Sequence, residues 1–142
     1  NTASGLHSTV TGGRFNHASG LYSSVTGGVA NDATGSRSSV SGGTLNTASG
    51  WESSVSGGYH NKASGIESSV SGGYGNEAYG KLASVSGGTE NTALGEGSIV
   101  LGGFDNMADG MNSVITGATS NTAIGLSSIS GGNNKKAVVE AE

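Results

Sequence analysis

The chain has no cysteine and no proline, and only 11% of its residues are charged. Without cysteine, disulfide staples and thiolate metal sites are excluded, and the redox compartment is left open. Lys plus Arg number six, no basic run occurs, and the net charge is −4. That balance argues against a nucleic-acid partner. No apolar stretch is long enough to span a bilayer. Hydrophobic residues make up 32% and aromatics 5%, too little for an ordinary globular core at this length. No initiator Met, signal peptide or sorting tail is visible. The chain starts at a repeat boundary, as expected of a segment of a longer protein.

Glycine is abundant, at 28 residues. No G-X-Y triplet orders it, so collagen is excluded. A different order is present. Asparagine recurs every fifteen residues, from Asn1, Asn16 and Asn31 to Asn106 and Asn121. Around each the chain reads N-x-A-x-G-x-x-S-x-V-x-G-G-x-x. A flexible Gly/Ser linker needs no such register. A strict short period means one unit stacked on copies of itself.

Each repeat divides into N-x-A-x-G-x-x and S-x-V-x-G-G-x-x. In both halves the constant residues alternate with variable ones, the period of an extended strand. Glycine and β-branched residues at these densities disfavour a helix. The expectation is an all-β β-solenoid with one fifteen-residue coil per repeat and two short strands per coil. Nine coils at about 4.8 Å each would give a rod about 45 Å long. The interior is expected to be a ladder from Ala3 to Ala123 against one from Val10 through Ile115 to Ile129. The ninth coil is one residue short, between Leu126 and Ser127. The repeat asparagines are placed to satisfy corner backbone groups from inside. Domain boundaries follow: residues 1–133 as solenoid repeats, and 134–142 as a non-repeat tail.

A coil that buries one Val and one Ala is thin, so association with further copies is expected. Two outward faces are available for it. The first carries charged positions such as Asp32, Lys62, Glu77 and Asp109, which suit solvent. The second carries none. It consists of Thr9, Thr11, Ser24, Thr26, Ser39, Ser41, Ser54, Ser56, Ser69, Ser71, Ser84, Ser86, Ile99, Leu101, Val114 and Thr116. An uncharged face of small residues is what a packed interface requires. These residues are assigned to the inside of an oligomer, with Ile99, Leu101 and Val114 as its dry plug.

The paired units N-x-A-x-G and S-x-V-x-G resemble the head repeats of YadA-like trimeric autotransporter adhesins. Ser98-Ile99-Val100-Leu101-Gly102 comes closest to that family's S-V-A-I-G strand. The resemblance covers Asn1 to about Asn133, with a repeat one residue longer and Ser where the family's axis residues are apolar. It implies a left-handed parallel β-roll over 1–133, a candidate start of a neck or coiled coil in 134–142, a homotrimer with the S-x-V-x-G strand inward along its axis, and a fibre head outside a bacterial cell. It also implies attachment to a host matrix protein or glycan. Similar repeats occur in phage and injection-machine tail fibres, which is the alternative reading. A second alternative is an ice-binding solenoid that uses the Ser/Thr ladder.

Other chemistry is weakly indicated. The run Gly75-Asn76-Glu77-Ala78-Tyr79-Gly80-Lys81 nearly spells a phosphate-binding loop, but Leu82 stands where Ser or Thr is needed. His7, His17 and His60 occupy different repeat positions and do not converge as metal ligands would. No cofactor, metal or catalytic residue is assigned, and no enzyme is expected. The candidate ligand surface is the aromatic set at the variable corners: Phe15, Tyr22, Trp51, Tyr59, Tyr74 and Phe104.

Overall fold

A computed structural model describes residues 1–139. Among them the secondary structure is entirely β, and every strand pairing is parallel. Each repeat closes one coil and contributes two short strands. The first strands, from Thr2–Ala3 to Lys136–Val138, stack into a 10-stranded sheet. The second, from Thr9–Val10 to Ser128–Ile129, stack into a 9-stranded sheet. Through the first eight coils a residue pairs with the one fifteen positions on, as in Ala48 with Ala63 and Val55 with Val70. The alternation read from the sequence sets this register. Ala and Val point inward, and their neighbours point out. From Ala18 to Ala123 the inward alanines are fully buried, and the facing Val25 to Ile129 are no more than 5% exposed.

The asparagines form a continuous polar ladder beside this core. Asn61 is buried and makes three side-chain hydrogen bonds. Its Nδ2 donates to Gly57 O at 2.9 Å and to Gly73 O at 2.9 Å. Its Oδ1 accepts from the backbone N–H of Asn76 at 2.9 Å. One amide thus satisfies its own coil and the next, which answers the accounting that buried backbone demands.

Two of the three glycines in a typical repeat stand at close approaches, and Ala118 takes the place of the second of them in the eighth coil. A Cβ on Gly50 would overlap the Gly65 carbonyl, and one on Gly58 would overlap Gly73 O. Gly58 also has a φ of 87°, a region that favours glycine. The first glycine of the doublet, such as Gly57, faces open space.

The turns hold a feature that the sequence did not announce. The seventh and fifteenth positions of the coil take positive φ with ordinary side chains, as in Glu67 at 55° and His60 at 58°. Such residues cost about 1–2 kcal/mol each in isolation. Hydrogen bonding offsets the cost. Along the strands an N–H donates forward to the next coil, as Ser54 does to Ser68 O at 3.0 Å. At the left-handed positions the N–H points back, from Glu67 to Trp51 O at 2.7 Å and from His60 to Thr44 O at 3.0 Å. A third ladder of single-residue bridges runs beside the fifteenth position, through Thr44, Tyr59, Tyr74, Thr89 and Phe104.

The short ninth coil is absorbed by a register change. Ile115 pairs with Ile129, and Ala123 with Ala137. Lys136–Val138, placed by the sequence in a non-repeat tail, is a strand against Thr122–Ile124. The roll therefore runs past residue 133. Residues 140–142, the rest of the candidate neck, lie outside the described residues.

Candidate binding surfaces

The second sheet places the proposed axis residues on its outward side in two straight columns. The column from Ser24 through Ser54 to Ile99 and Val114 is half-buried, and the column from Thr11 through Ser56 to Leu101 and Thr116 is exposed. Rungs stay in register, as in Ser39 with Ser54, Ser54 with Ser69, and Ile99 with Val114. Among the described residues, one hydroxyl of this face bonds to protein: Thr116 Oγ1 donates to Ile129 O at 3.4 Å. The others face outward. The apolar trio Ile99, Leu101 and Val114 lies together on neighbouring rungs, so its grouping follows from the ladder itself.

The first sheet presents a different outward chemistry. Lys62 Nζ sits 5.3 Å from the Tyr79 ring centre. Burial pushes the Tyr79 phenol above its ordinary value, and the hydrogen bond to Glu77 and its charge add to that. His17 lies 3.3 Å from Ser4 Oγ and 4.0 Å from Asp32. The turn that leaves this sheet carries Arg37 paired with Glu52 at 2.8 Å, and Lys81 with Glu96 at 3.9 Å. These are solvent-exposed pairs of small energetic weight.

The six corner aromatics divide between two turns. Tyr59, Tyr74 and Phe104 share the single-bridge ladder, and Phe15 sits one position beyond it. Tyr59 and Tyr74 stack with ring centres 5.5 Å apart and planes 6° from parallel. Tyr22 and Trp51 occupy the turn between the two sheets. There Tyr22 stacks on His7 at 4.9 Å, and the Arg37 guanidinium lies 5.8 Å from the Trp51 ring. Arg14 covers Phe15 at 5.4 Å. The structure therefore gathers three of the six into one stripe and separates the rest. Thr89 lies on that stripe and Glu90 beside it, and nothing in their residue types marks them in the sequence. Aligning the fourteenth position of successive repeats would have shown Thr89 interrupting an aromatic column.

Among the described residues, no group of three or more His, Cys, Asp or Glu is arranged to hold a metal ion. Gly80 and Lys81 sit at a coil turn between strands, without the helix that a phosphate-binding loop opens. No helix in the described chain is long and apolar enough to cross a membrane. The chain matches no protein-family model and no curated protein.

Proposed function

We propose that this roll is a non-enzymatic segment of an extracellular fibre that associates with two further copies of itself and serves attachment. The observation that carries this reading is the asymmetry of the two outward faces. One sheet presents charged side chains such as Asp32, Lys62 and Glu77, while the other presents two uncharged columns of small side chains with an apolar patch at Ile99, Leu101 and Val114. A charge-free core inside a polar rim is the composition of a packed interface. A repeat one to two side chains thick gains most from burying that face against copies of itself. The partners in attachment would be a host matrix protein or a glycan. The setting would be a bacterial cell surface, with a phage or injection-machine fibre as the alternative. The sequence resemblance to YadA-like adhesin heads points the same way.

Light scattering on the purified chain tests the assembly. A mass of three chains is expected, and a monomer at all concentrations would refute it. Substituting Ser54→Glu together with Ser56→Glu should break the trimer without altering β content. If mass is unchanged, the hydroxyl face is not the interface. The same regular hydroxyl columns favour a second reading, an ice-binding face. Thermal hysteresis from a monomer, abolished by the double Glu variant, would establish that reading in place of the trimer.

A further inference from the structure

The single-bridge ladder at one corner carries Tyr59, Tyr74, Thr89 and Phe104 on successive coils. Tyr59 and Tyr74 stack nearly parallel, so these two rings turn their faces along the rod. Thr89 ends the stack, and Phe104 returns an aromatic side chain to the ladder one coil further on. Two rungs at about 4.8 Å each put the Tyr74 and Phe104 backbones about 9.6 Å apart; the 5.5 Å between the Tyr59 and Tyr74 ring centres extends that to about 11 Å at the side chains. Thr89 is short and half-buried between two exposed aromatics. The result is a slot open to solvent, with Thr89 as its floor and an aromatic residue on each side.

The width selects the occupant. A flat ring between two others needs about 7–8 Å in total and would sit loosely. A compact cation at the midpoint would lie about 5–5.5 Å from each ring, inside the roughly 6 Å range of a cation–π contact. The local charge has the matching sign. Glu90 follows Thr89, and its side chain runs over Gly75 next to Tyr74, with Cγ 3.5 Å from where a Gly75 Cβ would stand. Asp105 follows Phe104. Elsewhere the chain covers its own rings: Arg14 lies over Phe15, Arg37 over Trp51 and Lys62 over Tyr79. Among the described residues, no Lys or Arg covers Tyr74 or Phe104 in this way.

We infer that Tyr74, Thr89 and Phe104, with Glu90 alongside, form a binding slot for a small organic cation of the trimethylammonium type. The slot lies on a corner outside the hydroxyl columns and does not depend on the attachment reading. A trimethylammonium group is carried both by free solutes such as choline and by phosphatidylcholine headgroups. Both sources offer the same chemistry to the rings.

The test is a titration of the soluble chain with choline chloride at constant ionic strength, followed by tyrosine fluorescence. The uncharged tert-butyl isostere of choline serves as control. Saturable binding of choline and none of the isostere is expected. Phe104→Leu should weaken choline binding about fivefold, the worth of one exposed cation–π contact. Thr89→Tyr should abolish it by completing the ring stack. Both positions face solvent, and unchanged circular dichroism would confirm the fold. Absence of saturable binding, equal binding of the isostere, or unchanged affinity in both variants would overturn the inference. Sedimentation with phosphatidylcholine vesicles separates the sources. Vesicle binding lost in Thr89→Tyr assigns the lipid headgroup, and choline binding without vesicle binding assigns a free solute.

Discussion

Replacing Asn61 by Ala in the middle of the roll tests whether the polar ladder or the apolar ladder holds the coils together. Asn61 is 1% exposed. The substitution removes two hydrogen bonds donated to Gly57 and Gly73, and leaves the Asn76 N–H without its acceptor. Each lost bond is worth about 1 kcal/mol, and an orphaned buried donor costs about 1–3 kcal/mol. Gly73 O keeps a second donor, the Tyr59 N–H at 2.9 Å, which holds the total down. The sum is about 3–5 kcal/mol. Val55→Ala, in the facing ladder, removes two methyl groups and leaves a small cavity, for about 2–3 kcal/mol. Urea unfolding followed by circular dichroism measures both variants against the parent chain. Coils touch only their neighbours, so hydrogen exchange should show the loss of protection centred on the mutated coil. If Asn61→Ala costs less than Val55→Ala, the argument that the asparagine ladder dominates is wrong. Asn61→Asp adds a sign test. A buried carboxyl facing two carbonyl oxygens favours its neutral form, so its folded pKa is raised. The variant should lose stability relative to the parent as pH rises above about 4, and regain it as pH falls below that.

Gly57→Ala should be neutral or stabilising by about 0.4–1 kcal/mol, because its Cβ meets open space. Gly50→Ala should cost about 3 kcal/mol or more through overlap with the Gly65 carbonyl; thermal unfolding separates the two. Ala118 occupies a glycine position with φ at 75°, so Ala118→Gly should gain about 1 kcal/mol by the same assay. Tyr79 should ionise above its ordinary 10.0 in an ultraviolet titration. Glu77→Gln should lower the value only partly, since burial is the largest cause. The neutral phenol is the form favoured in the fold. Its contribution is therefore constant below pH 10 and falls as pH rises past it. A Tyr79→Phe variant with unchanged loss of stability above that pH would refute the assignment.

The coil, its two strands and the inward Ala and Val ladders were legible because they are constant, and constancy at period two names a face. Asn61 and its equivalents were legible for the same reason. The left-handed turns were not. Their positions carry His, Tyr, Arg, Glu, Leu and Asn without preference. The strain is met by a backbone hydrogen bond to the preceding coil, which asks nothing of the side chain. The continuation of the roll into Lys136–Val138 was hidden in the same way. Lys135 and Lys136 break the sequence pattern, yet the Lys135 N–H still reaches Asn121 Oδ1 at 2.9 Å. The last asparagine of the ladder templates the next rung without requiring another.

This division of labour bears on function. The positions that hold the roll together are Asn, Ala and Val, with the fifth and thirteenth glycines, and all are satisfied from inside. Outward positions are bonded mainly through their backbone, so a side chain there can change without a cost to the frame. Tyr74, Thr89 and Phe104 share one backbone geometry although their side chains differ. A rod built this way can vary one column at a time, at about 4.8 Å per step. Recognition then depends on the order of side chains along a column, and an interruption such as Thr89 is as informative as the rings it separates. The uniform columns have the opposite property. In the proposed trimer, the repetition of Ser39, Ser54, Ser69 and Ser84 would let a straight interface between identical copies repeat with its partner. On these two proposals, one fold would carry both a monotonous face for assembly and an irregular corner for selection.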